Sequence, residues 1–239
     1  MPRRLIAFVL VAVALAALFV RLGVWQLDRR AERRAFNARI RAGLRAAPAP
    51  FADVTRAGSA ARYRRVTITG TPDYAHERVL GARTNGGSPG VHLLTPVRVA
   101  GSDTAVLVNR GWVYSADGAN VDATRWREGT TMTFVGWAET FAPDAAPGAA
   151  GGMLRTPAGG PPILRRLDRA AASAGLPYPL APMLLVATEG SPAAAETPVR
   201  LEPPVIGDGP HLSYAIQWFA FAAIAVVGAA VVGAKSRAA

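Results

Sequence analysis

Uninterrupted apolar segments stand at both ends of the chain. Residues 5–20 contain no charged or polar side chain, and neither do residues 220–234. With their apolar flanks, both segments reach the roughly 20 residues that a membrane-spanning helix needs. We therefore predict transmembrane helices over residues 1–25 and 211–234. Two spans in these positions place both termini on one side of a membrane and residues 46–210 on the other.

A second helical pattern follows the first span. Residues 26–45 are rich in Ala, Glu, Arg and Leu and contain no glycine or proline before Gly43. This composition favours a basic juxtamembrane helix that continues from the span. Residues 46–61 hold two prolines and many small side chains, and are predicted to form a linker.

Short, alternating, β-branched segments with turn residues between them are typical of strands. The clearest are residues 63–69, 91–99, 104–113, 131–138 and 182–188. Their spacing indicates an antiparallel sheet or barrel. The pattern as a whole predicts a membrane protein with two terminal transmembrane helices flanking one mainly antiparallel β (α+β) extramembrane domain.

Three further segments complete this domain. Residues 141–162 are low in sequence complexity and are predicted to be a mobile loop. Residues 163–174 show apolar positions at helical spacing before Gly175, which favours one amphipathic helix. Residues 191–210 contain five prolines and are expected to lead back to the membrane in an extended conformation.

Positive charge is concentrated just after the first span. The formal net charge is +11, and Lys235 is the only lysine. Two kinds of partner fit a run of arginines: nucleic acid or anionic lipid headgroups. The position beside a span favours the lipid bilayer, and no nucleic-acid partner is expected. The arginines of the run are Arg21, Arg29, Arg30, Arg33, Arg34, Arg39, Arg41 and Arg45.

Charges outside the two spans predict the orientation. Arg3, Arg4, Lys235 and Arg237 favour cytoplasmic termini under the positive-inside rule, with residues 235–239 as a cytoplasmic tail. The arginine run opposes this orientation, but the rule weakens for long translocated domains. No small-x-small cleavage site follows the first span, so we predict an uncleaved anchor. The expected location is a bacterial inner membrane, crossed by both spans, with the main domain extracytoplasmic.

The inventory of reactive side chains is small. The chain has no cysteine, and its histidines are His76, His92 and His211. The absence of cysteine excludes disulfides, Cys-ligated zinc, iron–sulfur clusters and C-x-x-C-H haem attachment. No G-x-S-x-G or H-E-x-x-H motif is present, and we predict that the protein is not an enzyme. His76 is expected to be a solvated loop residue and His92 a structural residue in a strand.

Four segments stand in order along the chain: LGVWQLDRRAER at residues 22–33, YRRVTITG at 63–70, GVHLLTPVRVAGSDTAVLVNRGWV at 90–113 and HLSYAIQWF at 211–219. Together they resemble the Surfeit locus protein 1 family of membrane factors for the assembly of haem–copper cytochrome c oxidase. The resemblance implies a non-enzymatic role in delivering or inserting haem a, bound transiently. The implied partners are cytochrome c oxidase subunit I and, as a further candidate, haem a synthase. The family's proposed haem ligand corresponds to His211.

Residues at the outer ends of both spans are compatible with such a site. A histidine can ligate haem iron, and a helical face with flat aromatic side chains beside it suits a porphyrin. A basic residue nearby can pair with a propionate. The alternative is an ordinary aromatic belt at the membrane interface, with the histidine merely hydrogen-bonded there. The candidate residues are His211, as the ligand of the iron, with Tyr214, Trp218, Trp25, Gln26 and Arg29.

Arg110 and Trp112 end a strong predicted strand and allow two interpretations. They are candidate partner-binding residues that face the membrane or another protein. Alternatively, the chain bends at Gly111, with Trp112 in the core and Arg110 paired to an acid, and this structural interpretation is favoured.

Two other functions compete with haem delivery. A scaffold that stabilises an oxidase subunit without touching haem would need the domain and helices but not His211. An anchored enzyme, such as a hydrolase, would need titratable residues clustered in one pocket, and the few histidines make this the weaker alternative.

Overall fold

The computed structural model describes residues 3–143, 153–155 and 160–238. The chain divides into two compact units, which are described separately. A helical unit comprises residues 1–39 and 205–239, and a β unit comprises residues 40–204.

Two long helices build the helical unit. Helix α1 runs unbroken over Arg3–Arg45, and its last turn belongs to the β unit. The other, α4, runs over His211–Ala238. By length and apolar composition, both can cross a membrane. Small side chains let the helices approach closely, since Ala12 and Ala16 of α1 and Ala215 and Ala222 of α4 are all buried.

A mixed sheet forms the β unit, with the strand order β1-β2-β6-β9-β5-β4-β3-β8-β7. Because β2 pairs with β4 as well as β6, the sheet closes into a ring of β2, β6, β9, β5 and β4. Most pairings are antiparallel, as predicted, but β1–β2, β3–β8 and β5–β9 are parallel. The strands are β1 (Ala49–Pro50), β2 (Arg65–Pro72), β3 (Arg78–Asn85), β4 (Ser88–Arg98), β5 (Ala105–Tyr114), β6 (Met132–Thr140), β7 (Met153–Arg155), β8 (Ile163–Leu164) and β9 (Met183–Ser191).

Both faces of β9 are buried over its first five residues, 183–187. Met183 and Leu185 pack with Phe134 in one core cluster, whereas Leu184 and Val186 pack in a second. The continuous apolar run of β9 follows from this position, because a strand covered on both sides has no polar face. Each such side chain contributes about 1.5–3 kcal/mol of burial free energy.

The predicted linker over residues 46–61 is wrong. This segment holds β1, the short helix α2 (Phe51–Thr55) and a 3₁₀ turn at Gly58–Ala61. Phe51 and Ala61 lie in the first core cluster. The prolines and small residues therefore mark tight turns that pack against the ring of strands. The side chain of Phe51 fixes the segment to the core.

The predicted amphipathic helix over residues 163–174 is wrong in its first half. Ile163 and Leu164 form β8 and pair with β3, a strand that the sequence did not predict. Only Arg169–Ser173 is helical (α3), where Asp168 Oδ1 accepts a hydrogen bond from the amide of Ala171 at 2.7 Å and caps the helix.

Much of the segment predicted to be a mobile loop, residues 141–162, lies outside the described residues. Its described part includes β7, which pairs with β8. Residues 192–210 contain neither helix nor strand, as the prolines predict, apart from a bridge between Val199 and Trp112.

Candidate functional site: the contact between two helices

A glycine on α1 lets the two helices meet. A Cβ atom on Gly23 would lie 2.6 Å from the ring of Phe219 on α4. Side chains on a helix lean toward its N-terminus, so the Phe219 ring reaches back along α4 to this position. Gly23 is therefore needed for close packing of α1 against α4. The short distance between the helices lets polar side chains of the two helices touch nearby.

Gln26 and His211 make that contact. His211 Nδ1 lies 2.9 Å from Gln26 Oε1, and both side chains are half-buried. An amide oxygen only accepts hydrogen bonds, so Nδ1 carries the proton and donates it. In the neutral imidazole, Nε2 then retains the lone pair that a metal ion requires. The bond also fixes the plane of the imidazole ring, as an outer partner does for metal-binding histidines.

Replacing Gln26 with leucine is expected to remove the preference of His211 for the tautomer with its proton on Nδ1. Without the amide oxygen, the proton of His211 is no longer held on Nδ1, because the partner of one ring nitrogen sets the protonation of the other. The ¹⁵N chemical shifts of the His211 ring nitrogens in the detergent-solubilised chain measure the change. Gln217→Leu is the matched control, since Gln217 is exposed on α4; equal spectra for all three chains would contradict the assignment.

The predicted aromatic surfaces are divided. Trp218 stacks on Phe19 of α1, with ring centroids 5.7 Å apart, and contacts Phe221. One of its faces is thereby covered. Tyr214 and Trp25 are exposed, by 47% and 49% respectively, and present open ring surface.

Arg29 is already engaged. Its guanidinium lies 5.8 Å from the centroid of the Trp25 ring and 2.8 Å from a carboxylate oxygen of Glu32. Both members of the ion pair are largely exposed. An exposed pair of this kind is worth at most about 1 kcal/mol, so another anion can replace Glu32 at little cost.

Sequence reasoning missed a polar clasp at the start of α4. Asn37 is fully buried, and its side-chain amide donates to the carbonyl of Gly207 at 3.1 Å and to Asp208 at 3.3 Å. Arg34 pairs with the same aspartate at 3.5 Å. The contacts hold the segment that precedes His211 against α1. The only signal in the sequence was an uncharged amide within a run of arginines.

Arg110 lies in a β-bulge, not on a surface. Leu93 and Leu94 of β4 pair with Gly111 and Asn109 of β5, which leaves Arg110 as the extra residue. Gly111 adopts φ +131°, and a Cβ there would lie 2.3 Å from the carbonyl oxygen of Val199. The predicted bend at Gly111 is therefore present, and it turns the arginine side chain inward.

The Arg110 guanidinium is fully buried among acids. It contacts Glu77 and lies 2.8 Å from Glu128, and its Nε donates to Thr95 at 2.7 Å. Arg200, from the segment between β9 and α4, binds the other carboxylate oxygen of Glu128. Burial alone would lower the pKa of Arg110, but the two carboxylates raise it above its ordinary value. With no exposed atoms, the side chain fits the structural interpretation and not direct contact with a partner.

Trp112, the other candidate for partner binding, is half-buried. Its indole covers Gly90, where a Cβ would lie 2.3 Å from Nε1, and Nε1 has no hydrogen-bond partner. Its backbone pairs with Val199 through two hydrogen bonds of 2.8 Å.

His76 is not the solvated loop residue that the sequence predicted. Its Nδ1 lies 2.8 Å from a carboxylate oxygen of Asp73, which also accepts a hydrogen bond from the hydroxyl of Tyr178. Burial alone would raise the pKa of Asp73, but the hydrogen bonds from Tyr178 and His76 lower it below its ordinary value. The cluster ties the turn before β3 to the segment after α3.

His92 lies in a strand, β4, as predicted, and is half-buried. Asn109 Nδ2 donates to its Nδ1 at 3.2 Å. Burial, and then the positive charge of Arg83, lower the pKa of His92 to about 4. The imidazole is therefore neutral near pH 7 and carries its proton on Nε2.

This pKa shift predicts a pH dependence of stability. Between about pH 6.5 and pH 4, the unfolded chain binds a proton on His92 that the folded chain does not. The free energy of unfolding therefore falls as the pH falls through this window, by about 1–3 kcal/mol. Denaturant unfolding at pH 7 and pH 4.5 measures the loss, and His92→Gln should make it smaller. An unchanged loss in the variant would contradict the shift.

Within the described residues, no three His, Cys, Asp or Glu side chains come together to hold a metal ion. A single imidazole with a free Nε2, as in His211, suits instead a metal whose other ligands belong to a bound cofactor.

Comparison with known proteins identifies the relatives of the chain. The model of the SURF1 family matches residues 13–223. An uncharacterized SURF1-like protein of Mycobacterium tuberculosis is 30% identical, over 93% of this chain and 81% of that protein. A SURF1-like protein of Drosophila melanogaster is 27% identical, over 84% and 69%. One from Monosiga brevicollis is 31% identical, over 40% of each chain.

The match extends from within the first apolar helix to within the last and includes Gly23, Gln26, Arg110 and His211. Both the contacts between the two helices and the bulge of β5 thus lie inside the matched region, and the chain belongs to the SURF1 family.

Proposed function

We propose that the protein is an assembly factor for a haem–copper cytochrome c oxidase and assists the delivery of haem a to the catalytic subunit, subunit I. Family membership supports the oxidase as the client. The hydrogen bond between His211 and Gln26 carries the haem part of the proposal. It leaves Nε2 of a half-buried imidazole free at the end of an apolar helix pair. The role is binding and transfer and not catalysis.

The residues fit haem as a single-ligand site. His211 Nε2 would hold the iron, and Gln26 would keep the imidazole in the required tautomer. Trp25 and Tyr214 offer exposed aromatic surface, and Arg29 can exchange Glu32 for a propionate. The protein's contribution is to bind, orient and release the cofactor, whose redox chemistry belongs to the oxidase.

One axial ligand agrees with a transient carrier. A closed site with two histidines would hold haem tightly, whereas a delivery factor must release it to an acceptor. The described helices place no second histidine beside His211. We infer that occupancy depends on the supply of haem a, with haem a synthase as the candidate donor.

The apolar helices support a membrane location. Most of their large apolar side chains are exposed, among them Leu10, Val11 and Ile224, each more than half exposed. Such surface is stable in lipid and not in water. We propose that α1 and α4 both cross a bacterial inner membrane, with cytoplasmic termini and an extracytoplasmic β unit.

An absorbance spectrum tests the proposal. The full chain is co-expressed with the enzymes of haem a synthesis, purified in detergent and compared with His211→Ala. We expect the native chain to show a haem a spectrum and His211→Ala to lose it. Gln26→Leu should bind haem a about 10- to 100-fold more weakly than the native chain. His76→Ala is the control, because His76 bonds only within the β unit. A spectrum unchanged in His211→Ala would overturn the assignment of the ligand.

A scaffold that does not bind haem is the second candidate. It is favoured by the covered face of Trp218, which packs on Phe19 and Phe221 and does not line an open surface. On this alternative, His211→Ala leaves oxidase assembly intact. Absence of haem from the native chain, under conditions in which a known haem protein loads, would favour the scaffold.

A further inference from the structure

A cleft of about 430 Å³ opens on the β unit, beside β3 and β4 and the end of β6. Its wall is partly apolar, from Leu80, Phe141 and Leu167, and partly polar, from Arg83, His92 and Glu139. Arg62 also lines it and is paired with Glu139. All of these residues belong to the β unit, so the cleft is independent of His211.

A bulge in β3 brings the basic residue into the cleft. Leu80 pairs with His92 and Arg83 pairs with Gly90, so two residues of β3, Gly81 and Ala82, oppose one residue of β4. Ala82 adopts φ +55°. The extra residue places Leu80 and Arg83 on the same face of the sheet as His92, because cross-strand partners share a face. A regular strand would have turned Arg83 to the opposite face.

The charge of Arg83 is not neutralised. Its Nε is buried and has no hydrogen-bond partner, and one Nη donates to the carbonyl of Arg165 at 3.3 Å. No carboxylate pairs with it in the part of the chain that the structure describes. Burial lowers the pKa of Arg83, but an arginine remains charged. The guanidinium therefore keeps N–H groups that are available to an acceptor in the cleft.

His92 adds a second donor to the same wall. Its Nδ1 accepts a hydrogen bond from Asn109, which leaves the proton on Nε2. The imidazole is neutral, so it donates a hydrogen bond without adding positive charge. The lining carries one carboxylate, Glu139, and Arg62 already balances it.

We propose that this cleft binds a small anionic organic molecule. Its carboxylate or phosphate group accepts hydrogen bonds from Arg83 and from Nε2 of His92, and its apolar part packs on Leu80, Phe141 and Leu167. Oxyanions suit a guanidinium that offers several N–H donors in a plane. The mixed wall selects an amphiphilic anion over inorganic phosphate, which could not use the apolar side chains.

Titration of the full chain in detergent tests the site. The probes are hexanoate and phenyl phosphate, with hexanol as the uncharged control, and the readout is the ¹H–¹⁵N resonance of His92 Nε2. We expect hexanoate or phenyl phosphate to shift it saturably and hexanol to leave it in place. The tighter of the two anions identifies the head group as carboxylate or phosphate.

Variants separate the site from general anion binding. Arg83→Gln should weaken the anion about tenfold or more, as expected when a charged hydrogen-bond donor is lost. Arg56→Gln should leave the affinity unchanged, because Arg56 is exposed and paired with Asp53 elsewhere on the unit. If Arg83→Gln does not fold, Arg83→Lys should retain binding with an altered preference between the two anions. The proposal is overturned if His92 does not respond to either anion, if hexanol acts like hexanoate, or if Arg83→Gln binds as the native chain does.

Discussion

Replacing Arg110 with methionine is expected to lower the free energy of unfolding of the β unit by about 3–5 kcal/mol. The variant fills much of the same volume but leaves Glu77 and the side chain of Glu128, both almost fully buried, without the guanidinium between them. Glu128 would still be paired with Arg200. Glu77 would keep its hydrogen bond from Thr95 but would have no positively charged partner. An unpaired buried carboxylate is among the largest single destabilising changes in a protein.

Hydrogen–deuterium exchange of β4 and β5 in the detergent-solubilised chain measures this loss locally, because it reports opening of the β unit alone. The control is Arg125→Met, which removes an exposed ion pair with Glu196 and should change stability by less than about 1 kcal/mol. Adding Glu77→Gln to Arg110→Met should recover part of the loss. If β4 and β5 are equally protected from exchange in Arg110→Met and Arg125→Met, the buried network of Arg110 does not stabilise the β unit as described.

Gly136→Ala is expected to prevent the ring of strands from closing and to lower the free energy of unfolding of the β unit by more than about 4 kcal/mol. A Cβ at this position would lie 1.8 Å from the carbonyl oxygen of Val186, a backbone atom of the neighbouring strand β9. The pairing of β6 with β9 has a register shift between Val135 and Gly136, and the bulge brings the two backbones together there. A backbone atom within a ladder cannot move aside as a flexible side chain does.

Limited proteolysis of the purified full chain, followed by mass spectrometry, shows whether the β unit resists cleavage. The matched control is Gly207→Ala, since a Cβ at Gly207 would meet no atom within 4 Å. A protease-resistant β unit in Gly136→Ala would mean that β6 and β9 are not packed as the structure has them.

Local patterns were sufficient for the long elements. A long apolar run without Pro predicts a helix because its backbone groups bond within it, and α1 continues through the arginines because Ala, Arg, Glu and Leu favour the helix. Short β-branched segments between turn residues located β2, β4, β5 and β6, and a continuous apolar run located β9. The strand β3 was missed because its bulge at Ala82 breaks the alternation after Leu80. Ile163 and Leu164 were assigned to a helix because a two-residue strand has no period of its own.

Charge pairing in the interior was beyond the sequence. Arg110 and its acids are separated by 33 and 18 positions, and no spacing rule links them. The contact between Gln26 and His211 was foreseeable, since both stand at the ends of antiparallel apolar helices. The coverage of Trp218 by Phe19 and the pairing of Arg29 with Glu32 were not, because they depend on rotamers chosen by packing.

The position of β9 in the ring has a consequence for biogenesis. β9 lies between β6 and β5 but is the last strand to leave the ribosome. Until β9 emerges, β5 and β6 each have an unpaired edge, and exposed edges readily pair with other chains. Slow completion of the chain should therefore lead to aggregation or proteolysis of the partly folded β unit.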